Sequence, residues 1–261
     1  MAIHAIVPAA GVGSRMQAAV PKQYLQIQGE SILSLSIRRL SQLPGLQSVT
    51  VALAPGDQIG LQIVHQLSAT IATELHVAEG GAERWQSVIN ALQLLAQRAA
   101  PADWVLVHDA VRPCVRVQDL QNLVQLAEHP DSVGGLLAIP VADTLKRAAP
   151  TDRIAVSRTG AATGGDTAVD INAVNVQTVA STIDRQNVWA ACTPQMFRLD
   201  QLLDALQRCM AGSVIPTDES SAMEYCGYQP RLIVCHKDNI KITYPEDLYL
   251  AELILTSQVP A

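Results

Sequence analysis

The sequence predicts an α/β fold in which a mostly parallel sheet carries helices on both faces. Three observations predict it. The chain is 49 % hydrophobic but only 3 % aromatic, so its core must be built from Val, Ile, Leu and Ala, as suits a sheet buried on both sides. Short apolar runs alternate with helical patterns through the first third, giving a β-α-β-α-β order with right-handed crossovers. The first run, Ala2 to Val7, stops at Pro8 and opens into the small residues Ala9, Ala10, Gly11 and Gly13. A loop so placed lies at the carboxyl end of a strand, where open α/β sheets take their ligands. The length of 261 residues accommodates one large domain, and a single domain over 1–261 is expected.

The elements follow in order. Ser31 starts a helix with apolar Leu33, Ile37 and Leu40, halted by Pro44-Gly45. Gln47 to Leu53 reads as the second strand, Asp57 caps a helix to about Leu67, and Ile71 to Val77 reads as the third strand. Gly80-Gly81 leads into a helix with Val88, Leu92 and Leu95 on one face. Trp104 to Asp109 forms the next strand, Val117 to Glu128 a helix, and Val133 to Pro140 another strand whose Gly134-Gly135 allows close packing. Between about 142 and 187 the composition turns to Thr, Ala, Gly, Asp and Val, with strand-like pieces at 153–158 and 174–183 around a polar tip at 159–173. This fits an exposed β-hairpin arm that something must cover. After Trp189 to Gln195, a helix with Leu199, Leu202, Leu203 and Leu206 follows. Thr217 caps a helix that places Glu219 and Glu224 on its exposed or site-facing side, in structural rather than metal-binding roles. Arg231 to His236 is a strand, and the last helix starts at Thr243-Tyr244-Pro245.

Several function classes are disfavoured. Eighteen Lys and Arg stand against 24 Asp and Glu, a net charge of −6 with no basic run, so nucleic acid is not an expected partner. The five cysteines form no C-x-x-C pair and no zinc spacing, as expected of reduced thiols in a cytoplasmic protein. No apolar run approaches the roughly twenty residues of a membrane span, and the N-terminus enters a strand without a leader pattern. Neither a membrane nor export is expected.

The chemistry concentrates in a few segments. Behind the Pro8–Gly13 loop come Arg15 and Lys22, two fixed positive charges on one connection. Small residues let backbone N–H groups approach an anion, so loop and cations together describe a cradle for a nucleoside triphosphate. Lys22 lies too far on for a G-x-x-x-x-G-K phosphate loop, and Met16 stands where a dinucleotide fingerprint needs its third glycine. Asp109 stands at the carboxyl end of the strand that begins at Trp104, within His108-Asp109-Ala110-Val111-Arg112-Pro113. An acid there also serves as an ordinary cap, and His108 reads as a strand-end residue rather than a catalyst. No convincing Ser/His/Asp or Cys/His arrangement is present.

Read together, Pro8-Ala-Ala-Gly-Val-Gly-Ser-Arg-Met16 with Pro21-Lys-Gln23, His108-Asp-Ala-Val-Arg-Pro113, Asp143-Thr-Leu-Lys146, Trp189…Thr-Pro-Gln195 and Asp238-Asn-Ile-Lys241 resemble one family in one order. They resemble the 2-C-methyl-D-erythritol 4-phosphate cytidylyltransferases of isoprenoid-precursor synthesis. The resemblance implies a Rossmann-like fold of the nucleotide-diphospho-sugar transferase type and transfer of a cytidylyl group from CTP to a small polyol phosphate, with Mg²⁺ on the triphosphate. It implies Arg15, Lys22, Lys241 and Asp109 as catalytic residues. It places Pro8, Ala9, Ala10, Gly11, Gly13, Gly80, Gly81 and Ser87 at CTP, and Arg112, Thr144 and Arg185 at the acceptor phosphate. No residue is implied as a direct metal ligand, and a homodimer clasped through the arm is implied. Two positions depart from the family pattern: Ala82, where an acid is frequent, and Val111, where alanine is usual. Ribitol 5-phosphate is the competing acceptor, and a nucleotide-binding protein without catalysis is the competing class.

Overall fold

The computed structural model describes residues 1–11, 20–129, 131–149, 154–156 and 174–258, with 154–156 and 174–176 as backbone strands. Arg15 and Gly13, two of the expected site residues, lie outside the described residues, as does the arm tip at 159–173. The chain divides into two compact units, Met1–Ile139 with Ala191–Ala261, and Pro140–Ala190.

The larger unit starts with β1 (Ile3–Pro8), the two-residue strands β2 (Gln26–Ile27) and β3 (Glu30–Ser31), and α1 (Ile32–Ser41). It continues through β4 (Leu46–Leu53), α2 (Gln58–Ser68), β5 (Glu74–Glu79), α3 (Arg84–Leu95), β6 (Trp104–Val107), α4 (Val117–Val124) and β7 (Gly135–Pro140). The smaller unit holds β8 (Leu145–Ala148), β9 (Ile154–Val156), β10 (Val174–Val176) and β11 (Val179–Ile183). Then β12 (Trp189–Arg198) leads to α5 (Leu199–Ala211), α6 (Glu219–Tyr225), β13 (Arg231–Val234) and α7 (Pro245–Ser257).

The central sheet has seven strands in the order β13-β7-β12-β6-β1-β4-β5. β1 pairs in parallel with both β4 and β6, β4 with β5, and β7 with β13, while β12 runs antiparallel to β6. From β1 the chain adds β4 and β5 on one side and then crosses to lay β6 on the other. The carboxyl ends of β1 and β6 therefore flank a topological switch point, the crevice where such sheets bind ligands.

A period of two decides what each strand buries. Ala5 and Val7 of β1 pack with Leu33, Ile37 and Leu40 of α1 and with Leu120 and Leu123 of α4. Ile6 packs on the opposite face with Val88, Leu92 and Leu95 of α3 and Leu202 and Leu206 of α5. In β6, Trp104 and Leu106 face the first cluster and Val105 and Val107 the second. Both faces are buried under aliphatic side chains, as the composition requires. Each fully buried aliphatic side chain contributes about 2 kcal/mol.

The expected caps form. Ser31 Oγ accepts the N–H of Ser34 at 3.1 Å, and Asp57 Oδ1 accepts that of Gly60 at 2.9 Å. Some boundaries differ from the sequence expectation. The third strand runs from Glu74 to Glu79 rather than from Ile71, because the N–H groups of Thr70 and Ile71 both return to Leu67 O and keep Ile71 in the turn after α2. β6 ends at Val107, and beyond it the Asp109 N–H donates to the Thr193 side chain of β12 rather than to a backbone carbonyl. The helix expected to reach Glu128 tightens into a 3₁₀ turn over Gln125–Glu128. The cap of α6 is Asp218, not Thr217: its carboxylate accepts the Ser221 N–H at 2.9 Å. Gly135 packs so tightly that a Cβ there would overlap the Arg231 carbonyl of β13.

In the smaller unit, β8 and β11 form one antiparallel ladder and β9 and β10 another. Leu145 pairs with Ile183, so Thr144 and Arg185 flank the same end of the first ladder. Val179 to Thr182 of β11 are exposed. Among the described residues no helix is long and apolar enough to cross a membrane.

Candidate active site

The carboxyl end of β1 becomes a cavity wall. Ala9 stays registered with the sheet through its N–H to Ala52 O at 2.8 Å. Gln23, buried in the 3₁₀ turn Lys22–Tyr24, donates from Nε2 to Ala9 O at 2.7 Å and to Gly11 O at 3.0 Å. One amide thus pins the small-residue loop from beneath. Lys22 Nζ reaches Ile242 O at 3.2 Å, and Ile242 N–H donates to Val111 O at 3.0 Å. Segments distant in sequence meet here.

A cavity of about 160 Å³ results. Pro8, Ala9, Ala10, Gly11, Lys22, Gln23, Gly81, Arg84, Ser87, Asp109 and Lys241 line it. Gly80 is in the wall without lining the cavity: a Cβ there would overlap the Ala10 side chain, so glycine lets the two loops touch. Its N–H donates to Leu53 O at 2.7 Å. Ser87, expected at the nucleobase, is buried, and its hydroxyl accepts the Gly81 N–H at 3.0 Å while donating to Glu83 O.

At the carboxyl end of β6, Asp109 collects cations. Lys241 Nζ is 2.9 Å from Oδ2, Arg84 Nε 3.0 Å from Oδ1, and Arg112 Nε 3.5 Å from Oδ2. Burial by itself would raise this carboxyl's pKa, but the charges of Arg84, Lys241 and Arg112 outweigh it and hold Asp109 well below the usual carboxylate range. Arg84 is in turn gripped by Glu219, which is 1 % exposed, through Nη1 at 2.6 Å and Nη2 at 3.1 Å. Burial opposes the charge on Arg84, and the two carboxylates more than restore it.

The loop behind Asp109 is braced by a further set of hydrogen bonds. His108 is fully buried, with Nε2 3.0 Å from Arg112 O and Nδ1 3.1 Å from Thr193 Oγ1. Burial lowers its pKa to about 4, so it holds the loop as a neutral imidazole. Arg112 Nη1 donates to Asn239 O at 2.7 Å, and Asn239 Nδ2 donates to Thr193 O at 2.9 Å. The turn before Asn239 is held by Asp119 of α4, which accepts from His236 N at 3.0 Å and faces its Nδ1 at 2.8 Å. A second cavity, about 200 Å³, is lined by Arg112, Cys192, Thr193, Thr217 and Asp218 and shares Arg84, Asp109 and Lys241 with the first.

Residues 3–164 and 159–257 match one described family, 2-C-methyl-D-erythritol 4-phosphate cytidylyltransferase. The chain belongs to that family. The cytidylyltransferase of Serratia proteamaculans is 44 % identical over 252 residues, covering 97 % of this chain and 93 % of the relative. That of Photobacterium profundum is 43 % identical over 253 residues, covering 96 % and 95 %. Among solved structures, the Francisella tularensis cytidylyltransferase superposes with a TM-score of 0.73 at 30 % identity, covering 97 % of this chain and all of that one (100 %). The Thermus thermophilus cytidylyltransferase does so at 0.70 and 25 % identity, covering 98 % and 100 %.

Within this cytidylyltransferase, Lys22, Lys241, Asp109, Ser87, Gly81 and residues 8–11 share one cavity, and Arg112 lines the adjoining one. Thr144 and Arg185 belong to the smaller unit. Sequence reasoning missed Arg84, Gln23, Asn239 and Asp119, and it placed Glu219 only as an acid on an exposed or site-facing side. Gln23 and Asn239 stood inside recognised motifs. Arg84 and Glu219 carried no signal beyond closeness to the Gly-Gly loop and to a cap. Among the described residues no three His, Cys, Asp or Glu converge as a metal cage, and the Asp109 oxygens already face cations.

Proposed function

We propose that this chain transfers a cytidylyl group from CTP to 2-C-methyl-D-erythritol 4-phosphate, releasing pyrophosphate. The observation that carries this is the junction of two cavities at Asp109: a small-residue loop with Lys22 on one side, Arg112 on the other, and Lys241 at the boundary. Such an arrangement serves two anions that must meet. A phosphate oxygen of the acceptor attacks the α-phosphorus of CTP, and the bond to the bridging oxygen of the pyrophosphate breaks. The nucleophile is already anionic, so no general base is required. What the reaction needs is relief of repulsion and stabilisation of charge building on the α-phosphoryl and leaving groups.

Lys22 and Lys241 face that charge, with Arg15 as the third cation on the loop. Mg²⁺ would be held by the triphosphate oxygens and neutralise part of their charge. Arg112 holds the acceptor phosphate. Thr144 and Arg185 complete the acceptor site from the arm of a second subunit. Supporting that placement, the β8–β11 ladder exposes its strand residues, and a two-stranded ladder is marginal unless covered. A small, cytoplasmic polyol phosphate pathway is the setting this implies.

The test is pyrophosphate release from CTP and Mg²⁺ with methylerythritol phosphate and ribitol 5-phosphate side by side. Release with the first alone is expected. Release with ribitol phosphate alone keeps the mechanism and overturns the acceptor; silence with both, despite CTP binding, overturns catalysis.

A further inference from the structure

The strongest unassigned feature is a buried carboxylate one step behind the charge cluster. Glu219 opens α6, and its backbone has little freedom. Asp218 accepts from Gln195 Nε2 at 2.9 Å, and Ser220 N–H donates to Gln195 Oε1 at 2.7 Å, with Gln195 buried on β12. The Glu219 side chain is therefore aimed by a fixed frame. It meets the two Nη groups of Arg84 with its two oxygens.

That fork decides how Asp109 is used. Glu219 holds the Nη end of the guanidinium, so Arg84 presents its Nε edge to Asp109, and Nε donates to Oδ1. Oδ2 stays available to Lys241 and Arg112. We infer that Glu219 is a positioning residue of the transfer site: by holding the end of the Arg84 guanidinium, it fixes the Nε contact to Asp109 Oδ1 and so fixes where Asp109 meets Lys241 and Arg112. The inference rests on the transfer function proposed above. It assigns Glu219 no contact with either substrate.

The experiment compares the wild type with E219Q, E219D, R84Q and R84Q/E219Q by steady-state kinetics in CTP and acceptor, alongside thermal melts. The glutamine keeps one acceptor oxygen but turns an NH₂ toward an Nη, so Arg84 loses its fork. E219Q is expected to lower kcat about tenfold or more, with KM for CTP within about threefold and circular dichroism native. E219D, which retains the charge, is expected to regain part of that loss. R84Q/E219Q is expected to match R84Q, since Glu219 has nothing to act through once Arg84 is gone.

Wild-type kcat in E219Q overturns the inference, as does an additive loss in the double variant or no recovery in E219D. If E219Q fails to fold, R84Q/E219Q still decides, because it leaves no buried charge unpaired: equality with R84Q supports the inference and a further tenfold loss overturns it. A wild type that releases no pyrophosphate overturns the transfer function itself, and this inference with it.

Discussion

Lys241 Nζ lies 2.9 Å from Asp109 Oδ2, and this pair joins the two ends of the candidate site. Asp109 ends the connection from β6 beside the loop after β1, while Lys241 arrives from the turn after β13, at the edge of the sheet. Asn239 makes that reach possible by bonding both Arg112 and Thr193.

Asp109 holds three cations at once, so neutralising it should cost both stability and rate. Asp109→Asn keeps the shape and removes the charge. Leaving Lys241, Arg112 and Arg84 without it is expected to destabilise the fold by about 3 kcal/mol, read as a lowered denaturant midpoint. Turnover should fall about a hundredfold or more. A variant with native stability and native turnover would show that Asp109 does not organise the cluster.

Lys22 lines the cavity beside the small-residue loop. Lys22→Ala is expected to lower kcat about a hundredfold, the loss of roughly 3 kcal/mol of transition-state stabilisation, while raising the KM for CTP far less. An unchanged kcat would place Lys22 outside the transition state.

The arm residues should behave differently. Thr144→Ala and Arg185→Ala are expected to raise the KM for the polyol phosphate about tenfold or more, with CTP affinity unchanged. A change confined to CTP affinity would mean that the arm serves the nucleotide.

Gly80 is the place where the two loops touch. Gly80→Ala puts a methyl group into the Ala10 side chain, so the loop after β1 must shift. The expected result is weaker CTP binding by about tenfold, with a loss of about 1–3 kcal/mol in stability. Calorimetric titration with CTP would measure the first, and native CTP affinity would disconnect this contact from the nucleotide site.

His108 sets an acid limit on the fold. Its pKa is lowered from 6.5 to about 4 by burial, so between those values the unfolded chain binds a proton that the folded chain refuses. Stability from this residue is complete above about pH 6.5 and is lost as pH falls toward 4, by at most about 3 kcal/mol. Burial also lowers His4, which adds in the same direction. Stability curves at pH 7.5 and 4.5 should therefore converge for wild type and His108→Gln as pH falls, and parallel curves would contradict the neutral imidazole.

Much of this was legible from local pattern. The aliphatic composition predicted a sheet buried on both faces, and Ala5 against Ile6 shows how it is met: neighbours on a strand face opposite clusters. Caps at Ser31 and Asp57 were legible because a cap is a local bond. The cap of α6 was misplaced by one residue, because Thr217 and Asp218 are both good caps and only the bond to Ser221 chooses between them. Motif order pointed to the cavity residues Lys22, Asp109 and Lys241.

What the sequence by itself pointed to was the layered α/β class, the loop after the first strand and the segments that bring Lys22, Asp109 and Lys241 to one cavity, all properties of short segments. Only the tertiary structure decided that Arg84 stands between Asp109 and Glu219, that Gln23 carries the loop, and that Asp119 braces the turn before Asn239. Each of these bonds joins segments separated by strands and helices, and its strength comes from burial, which exists only once the sheet has closed around it. A glutamate such as Glu219 looks like a surface acid in the chain; excluded from water and facing a guanidinium, it becomes part of the machinery.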